Sequence, residues 1–416
     1  MRSQAAARFW AMELPTEADE DWRYGRIGAL DLGGFAAVVA EPETKPSELA
    51  EGPASLLSGL LAPAAIVRTC DGFVVSIELG SAAEPAGIAV ASARDLRRPP
   101  VGFGEVVAVA EDAFTVLARG YGPDAAVIVV PPGVRVTGPI VVVHEVGARP
   151  FPVAAFPRTF VALGEGADAT VVEHLASSGA TLVCPVTELE VAPSARLAYH
   201  SIQELDRSAW QLGYLTSRIG RDGALSSFAA AFGGDYARLC THSTLAGEAA
   251  SSELLAAYFA DGAQLQDMRT FQEHAAPRTR SKLIFKGAVD DSARSVYSGL
   301  IHIHKGARKS DASQTNRNLV LSDGAHADSV PNLDIEENDV RCSHASAVGP
   351  IDRAQRFYVE SRGVPPDAAE RLILLGFFDD LLGRAHESGV ARYLRDVVAR
   401  RLSRATVGTA RGEGAR

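Results

Sequence analysis

The sequence lacks the motifs by which most nucleotide-binding and hydrolytic enzymes are recognised. It contains no Gly-x-x-x-x-Gly-Lys phosphate loop, because Lys286-Gly287 and Lys305-Gly306 carry lysine before glycine. Gly102-Phe103-Gly104 lacks the third glycine of a dinucleotide fingerprint, and there is no Gly-x-Ser-x-Gly nucleophile elbow. We therefore expect no ATP site in this chain and no catalytic residue of these classes.

The sequence also lacks long apolar runs and an excess of basic residues. No apolar run approaches the roughly 20 residues that a membrane-spanning helix needs. Residues 1–14 are interrupted by Arg8 and followed by acidic residues, which is unlike a secretory signal. The net charge of -10 argues against nucleic acid as a partner, because phosphate binding needs clustered Lys and Arg. We expect a soluble protein with no membrane or nucleic acid partner.

Cysteine is scarce, and its placement argues against the usual cysteine-based frameworks. The four cysteines are Cys70, Cys184, Cys240 and Cys342, and no two of them form a Cys-x-x-Cys pair. Neither a zinc knuckle nor a disulfide framework is therefore predicted. The cytoplasm, which is reducing, is the expected location.

Short strands separated by glycine-containing turns make up the stretch between residues 285 and 349. The strand-like segments there are residues 282–285, 298–304, 318–321 and 333–335. The predicted turns are Lys286-Gly287-Ala288, Lys305-Gly306-Ala307 and Asp323-Gly324-Ala325. No helix-length apolar period lies between them, so the pattern predicts a solenoid of stacked coils.

The same alternation begins near residue 126, where β-branched runs are divided by turn residues. We predict a mainly β protein whose core, residues 126–348, is a parallel β-helix, right-handed as chain chirality favours. A mostly helical N-terminal α/β domain (1–125) and a C-terminal α-helical domain (349–404) flank it, and residues 405–416 form a flexible tail. The alternative architecture is an antiparallel sandwich or a cupin-like barrel, which the same short strands could supply.

Helical patterns replace the strands after residue 349. Asp352 is placed to cap a first helix, whose buried stripe would contain Ala354, Phe357 and Tyr358. A second helix begins at Pro366 and is apolar on more than one side, so one face can pack internally while another meets a partner. The candidate partner contacts on this helix are Leu374, Phe377, Phe378 and Leu381.

Two pairs of potential metal ligands lie at alternate positions of predicted strands. His302 and His304 leave the same face of one strand, while the isoleucines beside them leave the other face. If the isoleucines fill the coil, both imidazoles point outward as candidate metal contacts, although two ligands do not complete a site. Cys342 and His344 have the same spacing, shortly before the helical domain.

Six segments spread along the chain carry the pattern of a known family. They are Leu14-Pro15-Thr16, Asp21-Trp22-Arg23-Tyr24, Gln314-Thr315-Asn316-Arg317-Asn318-Leu319-Val320-Leu321, Val330-Pro331-Asn332-Leu333-Asp334-Ile335, Asp339-Val340-Arg341-Cys342-Ser343-His344 and Phe357-Tyr358-Val359-Glu360-Ser361-Arg362-Gly363. Together they resemble the SufB/SufD family of scaffold subunits in the SUF iron-sulfur cluster assembly machinery. The resemblance implies a right-handed parallel β-helix between helical terminal domains.

Two details favour the SufD branch of this family. Asn316 lies where SufB-like chains carry the sulfur-accepting cysteine, and an amide cannot act as a thiolate nucleophile. Ala345 follows His344 where SufB-like chains tend to carry glutamate. His302 and His304 depart from the family pattern, which has apolar or small residues at these positions.

The resemblance implies a non-catalytic scaffold with two protein partners. The chain would pair with the paralogue SufB and would bind the ATPase SufC through its C-terminal helical domain. A transient iron-sulfur cluster would be assembled at the interface with SufB, where His344 matches the family's metal-associated histidine and Cys342 lies beside it. The resemblance leaves open whether a reduced flavin binds the complex and whether the isolated chain forms a homodimer.

Two enzyme classes are the alternatives to a scaffold. A β-helix enzyme acting on polysaccharide would need a long acidic or aromatic groove, and this chain, at 7% aromatic, shows no such cluster. A cupin-like metalloenzyme would place His302, His304 and His344 together on one mononuclear metal site. Purification together with SufB and SufC would separate the scaffold from both alternatives.

Overall fold

The chain winds into a β-solenoid of about eight turns, with helices at its termini. The computed structural model describes residues 2–42, 49–81, 83, 87–147, 149 and 151–409. Successive strands alternate between two sheets, and through most of the core each strand pairs in parallel with the strand two places earlier. The predicted parallel β-helix is confirmed, and the alternative of an antiparallel sandwich or cupin-like barrel is wrong.

Both sheets run the length of the stack. The path of sheet A is β21 (His326–Ile335), β19 (Arg294–Ile303), β17 (Leu265–His274), β15 (Tyr236–Leu245), β13 (Trp210–Ile219), β11 (Val186–Val191), β8 (Arg158–Leu163), β5 (Ala126–Val130) and β4 (Ala89–Ser92), with β1 (Ala36–Ala37), β7 (Val153–Ala155) and β10 (Thr181–Val183) alongside. The path of sheet B is β22 (Arg341–Gly349), β20 (Asp311–Val320), β18 (Arg280–Val289), β16 (Ser251–Ala260), β14 (Ala224–Ala231), β12 (Arg196–Glu204), β9 (Asp168–Ser177), β6 (Ile140–Val146), β2 (Ala65–Cys70) and β3 (Phe73–Leu79). Of the described pairs, β2 with β3 and β4 with β5 are antiparallel, and both lie at the N-terminal end of the stack.

Alternate residues of each strand fill the interior of the coils. In sheet B one interior row runs through Ile140, Val171, Leu254 and Leu283, all of them buried. The same row reaches His344 on the last strand through Gln314. Burying one Leu or Val side chain typically contributes about 1.5 to 3 kcal/mol. The stacked rows therefore supply the hydrophobic core of the solenoid.

Glycine has two different roles in the segments that were predicted to be turns. Lys305-Gly306-Ala307 and Asp323-Gly324-Ala325 are turns, and Gly306 has a φ of +93°, which glycine adopts without a steric penalty. The predicted turn at Lys286-Gly287-Ala288 is wrong, because these residues lie inside β18. A Cβ atom at Gly287 would lie 1.9 Å from Cε2 of Tyr258, so glycine is needed there for close packing.

The N-terminal region is fastened to the solenoid by the segment Asp21-Trp22-Arg23-Tyr24. Trp22 is buried, and the guanidinium carbon of Arg238 lies 3.9 Å from the centre of its ring. The backbone oxygen of Arg23 accepts a hydrogen bond from Arg269 at 2.7 Å. The α-helices of this region include α1 (Arg2–Ala11), α2 (Glu51–Gly59) and α3 (Ala113–Tyr121).

In the described part of the chain, three helices follow the last strand, namely α4 (Arg353–Glu360), α5 (Pro366–Leu382) and α6 (Ser388–Thr409). Asp352 caps α4 as predicted, because its Oδ1 accepts a hydrogen bond from the backbone N–H of Ala354 at 2.7 Å. Helix α6 continues past residue 405, where the tail was predicted to begin, and residues 410–416 of that tail lie outside the described residues. Among the helices of the described chain, none is both long and apolar enough to cross a bilayer.

Candidate metal and partner sites at the open end of the solenoid

The solenoid ends in two strands whose outer edges carry no further strand of the described chain. Strands β21 and β22 are the terminal strands of sheet A and sheet B. Three large apolar side chains are exposed on them, namely Leu333, Ile335 and Val348. A free edge presents unpaired backbone N–H and C=O groups, which can accept a strand from another chain. This open end is therefore a candidate protein interface.

His344 lies on β22 at the open end and is exposed. Its Cα atom pairs with that of Gln314, so it occupies the row that lines the coil interior in the preceding turns. Gln314 is buried, and neither its amide oxygen nor its amide nitrogen has a hydrogen-bond partner in the described part of the chain. An exposed imidazole at the mouth of the coil can bind a metal ion that a second chain also ligates.

Cys342 lies two residues earlier on the same strand, but its surroundings differ. Its side chain is half-buried and packs against the apolar cluster that includes Ile301 and Ala312. Burial, together with the charge of Asp311, raises the pKa of the Cys342 thiol, which disfavours the thiolate that binds metal. Neither Cys342 nor His344 belongs to a group of three or more candidate metal ligands in the described residues.

Asn316 is buried within β20 and its side chain is fully hydrogen-bonded in a small network. Its Nδ2 donates to the hydroxyl of Tyr258 at 3.1 Å, and its Oδ1 accepts a hydrogen bond from Nδ2 of Asn318 at 2.7 Å. The Tyr258 hydroxyl in turn donates to Oδ1 of Asn318 at 2.6 Å. The three side chains satisfy one another, as buried polar groups must, so Asn316 stabilises the coil.

His302 and His304 lie at the end of β19, with ring centres 4.0 Å apart. Ile301 and Ile303 are completely buried, so both imidazoles leave the outer face of the coil, as their spacing predicted. The sheet register places Glu273 of β17 beside His302, and one donor atom of each of these three residues lies within 4.8 Å of the others. Glu273 was missed in the sequence because it lies one full coil earlier in the chain.

The single site of His302, His304 and His344 that a cupin-like metalloenzyme would need is not found among the described residues. His302 and His304 belong to sheet A, whereas His344 belongs to sheet B. The parallel winding of the chain separates them, because consecutive strands enter opposite sheets.

Neighbouring strands hold the Glu273 carboxylate in place. Nε2 of His242 lies 3.3 Å from Oε1 of Glu273, and the Thr244 hydroxyl donates to Oε2 at 3.3 Å. The contact with His242 lowers the pKa of Glu273, so this side chain is ionised at neutral pH. On the other side, a carboxylate oxygen of Asp334 and one of Glu336 each lie 3.7 Å from Nε2 of His302. Three carboxylates therefore lie close to the His302 imidazole, and one of them, Glu273, is also close to His304.

The four residues of α5 that the sequence assigned to a partner are mostly internal. Leu374, Phe378 and Leu381 are buried in a cluster with the outer face of sheet B and with α6, and Phe377 is partly buried there. This packing is reinforced by Lys286 of β18, whose Nζ donates to the backbone oxygen of Phe377 at 2.8 Å. These side chains are therefore occupied within the chain and do not form its exposed surface.

Helix α4 exposes its apolar residues instead. Phe357 is 70% exposed and Tyr358 is 58% exposed, so the predicted buried stripe of Ala354, Phe357 and Tyr358 is wrong. The reason is that α4 follows the last strand and has α5, rather than a sheet, as its main neighbour. Leu372 of α5 is also exposed. Phe357, Tyr358 and Leu372 are the large apolar side chains that the described part of the C-terminal domain exposes.

Comparison with known proteins shows similarity over most of the chain. Residues 145–377 match the family model described as "SUF system FeS cluster assembly, SufBD core domain". An iron-sulfur cluster assembly SufBD family protein of Mycobacterium tuberculosis is 36% identical over 266 residues, which are 62% of this chain and 64% of that protein. The chain thus spans just under two thirds of the length of this mycobacterial relative.

Two proteins named as iron-sulfur cluster assembly protein SufD are also similar. That of Escherichia coli is 27% identical over 399 residues, covering 94% of this chain and 89% of its own length. That of Bacillus subtilis is 29% identical over 308 residues, covering 71% of this chain and 68% of its own length. The matched family model covers more than half of the chain and runs from β6 to α5, which includes most of the solenoid. The chain therefore belongs to the SufBD family of SUF-system proteins.

Proposed function

We propose that this chain is a non-catalytic scaffold subunit that takes part in iron-sulfur cluster assembly in the cytoplasm. The observation that carries the proposal is the open end of the solenoid, where two free strand edges and the exposed His344 lie together. Membership of the SufBD family and the similarity to two proteins named SufD support it. A scaffold needs a rigid core and an accessible face, and the solenoid has both.

A SufB-type paralogue is the proposed occupant of the open end. The exposed side chains of Leu333, Ile335 and Val348 offer apolar contact, and the free edges of β21 and β22 offer main-chain hydrogen bonds. Pairing through strand edges gives both affinity and a defined register. A second copy of this chain is the competing occupant, which would give a homodimer when the paralogue is absent.

The nascent cluster is the cargo of this scaffold. Cysteine thiolates, and in some centres imidazoles, hold the iron of such clusters. This chain supplies the imidazole of His344 at the proposed interface, whereas the half-buried Cys342 has a raised thiol pKa. We therefore propose that the thiolate ligands come mainly from the partner.

Replacing His344 with alanine is expected to reduce the iron and acid-labile sulfide content of the reconstituted complex with SufB and SufC, without dissociating the complex. The exposed imidazole is a metal donor and not a packing residue, so its loss should weaken iron binding at least about tenfold. His344→Cys should retain part of the content, because a thiolate also binds iron. Iron and sulfide are measured per complex after anaerobic reconstitution.

His326→Ala is the matched control, because His326 is an exposed histidine at the far end of β21 that pairs with Asp328. Its cluster content should equal that of the wild type. If His344→Ala instead gives a normal cluster yield together with a lower unfolding temperature, His344 has only a structural role and the proposed role is refuted.

The SufC-type ATPase is proposed to bind the exposed face of α4. Phe357→Ala and Tyr358→Ala should each weaken its binding about tenfold, because aromatic anchors at interface centres typically cost more than 1 kcal/mol when truncated. Isothermal titration of the two purified proteins measures the change. Phe151→Ala is the control, since Phe151 is an exposed aromatic residue between β6 and β7, in the first half of the solenoid. Unchanged affinity in both α4 variants would remove this helix from the interface.

A further inference from the structure

Glu273, His302 and His304 together have the composition of a transition-metal site. Two imidazoles and one carboxylate are the ligand set of several zinc enzymes and of many non-haem iron(II) proteins. We propose that these three residues bind one divalent transition metal ion, zinc(II) or iron(II), on the outer face of sheet A. The three ligands lie on β17 and at the end of β19, one coil before the open end of the solenoid, and do not include His344.

The three donor atoms are close enough to share one ion. One atom from each residue lies within 4.8 Å of the others. Bonds of about 2.1 Å to a common ion require donor atoms no more than about 4.2 Å apart. Side-chain movements of less than about 1 Å therefore bring all three donor atoms within bonding distance of one ion. The backbone at His304 is held in place, because its N–H donates to the carbonyl of His274 at 3.1 Å and its carbonyl accepts from Ala307 at 3.0 Å.

Nε2 of His302 has an unsatisfied hydrogen-bonding capacity. This atom is buried and has no hydrogen-bond partner in the part of the chain that the structure describes. Buried polar atoms in folded proteins almost always have a partner, and an exception calls for an ion or a water molecule. The carboxylates of Asp334 and Glu336 lie 3.7 Å from it, which is beyond hydrogen-bonding distance. A metal ion bound at Nε2 would satisfy this atom.

The surrounding charges favour a cation. The Glu273 carboxylate lies beside both imidazoles, and the carboxylates of Asp334 and Glu336 lie near His302, where they can complete the coordination from the next coil. His242 and Thr244 hold the Glu273 carboxylate from the preceding coil. Residues that orient a ligand in this way commonly strengthen metal binding 10- to 100-fold.

Equilibrium dialysis of the untagged full-length chain tests the site, with zinc(II) in one arm and iron(II) under anaerobic conditions in the other. The parent protein carries Cys342→Ser and His344→Ala, which removes the donors at the open end. We expect the parent to bind one equivalent of at least one metal. Adding His302→Ala and His304→Ala should weaken that binding by at least about 100-fold, and Glu273→Gln alone should weaken it by about tenfold or more.

Adding His326→Ala to the parent gives the control, which should bind metal as the parent does. The unfolding temperature of each variant without metal shows whether it is folded, and Glu273→Gln decides the question if the double histidine variant does not fold. Loss of binding in a folded variant supports the proposal, and the arm that shows it identifies the metal. Equal binding by parent and variants, or no binding by the parent in either arm, would overturn it. The isolated chain is sufficient, so the result does not depend on the proposed scaffold function.

Discussion

Replacing Asp267 with alanine is expected to lower the free energy of unfolding by about 3 to 5 kcal/mol. Asp267 is completely buried in β17, where its carboxylate accepts hydrogen bonds from Arg269 at 2.6 Å, from Arg238 at 2.9 Å and from Tyr236 at 2.9 Å. Burial opposes ionisation, but the two arginines outweigh it and hold the pKa of Asp267 below its usual range. Without the carboxylate, two buried guanidinium groups lose their counter-charge.

Urea denaturation at neutral pH measures this loss, and Asp379→Ala is its control. Asp379 is an exposed carboxylate on α5 that pairs with Arg395, and such surface ion pairs contribute about 0 to 1 kcal/mol. The two arginines that bind Asp267 also contact Trp22 and the backbone of Arg23, so the variant should loosen the N-terminal region as well. The prediction would be contradicted if Asp267→Ala lowered the free energy of unfolding by no more than Asp379→Ala does.

Acid is expected to destabilise the chain between about pH 6.5 and pH 4 through two buried histidines. Burial, with a further contribution from His386, lowers the pKa of His200 to about 4. Burial, with a further contribution from His304, likewise lowers the pKa of His274 to about 4. In this window the unfolded chain binds protons on both imidazoles while the folded chain does not, so stability falls as the pH falls. Each pKa shift lowers the free energy of unfolding by about 3 kcal/mol at pH 4 and has almost no effect on it above neutral pH.

His274→Gln tests this acid sensitivity by removing one of the two titrations. A glutamine amide can replace the hydrogen bonds that the imidazole makes with Thr279 at 2.7 Å and with Ser281 at 2.8 Å. The free energy of unfolding, measured with urea from about pH 7.5 to about pH 4, should depend less steeply on pH in the variant. His326→Gln, at an exposed histidine, should leave the slope unchanged. Parallel pH profiles for the wild type and His274→Gln would contradict the assignment.

The architecture could be predicted because it follows from local patterns. Alternating apolar strands and turns such as Lys305-Gly306-Ala307 recur without a helical period, and a long series of such short runs favours stacked coils. The turn predicted at Lys286-Gly287-Ala288 failed for a non-local reason. Gly287 makes room for Tyr258 of the preceding coil, and only the register between coils brings these two residues together.

The candidate sites depended on the same register, so the sequence showed them only in part. The spacing of His302 and His304 indicated a shared face, but it could not bring Glu273 beside them from the previous coil. Helix α5 is apolar on several sides, and its periodicity alone could not decide which side packs on sheet B. Phe357 was expected to be buried because of its spacing from Ala354 and Tyr358, whereas α4 lies beyond the last strand and leaves Phe357 exposed.

The position of β21 and β22 at the end of the stack has a consequence for local dynamics. Interior coils are stabilised by neighbouring coils on two sides, whereas in the described chain β21 pairs with β19 and β22 with β20 on one side only. The stability of a solenoid is approximately a sum of interactions between neighbouring coils. Local unfolding of the terminal coil therefore costs less free energy than local unfolding of an interior coil. A chain docked on this end acts as a cap, because it supplies the second neighbour. Docking of the proposed partner at this end would therefore also order the coil around His344, and part of the gross binding energy would be used for that ordering.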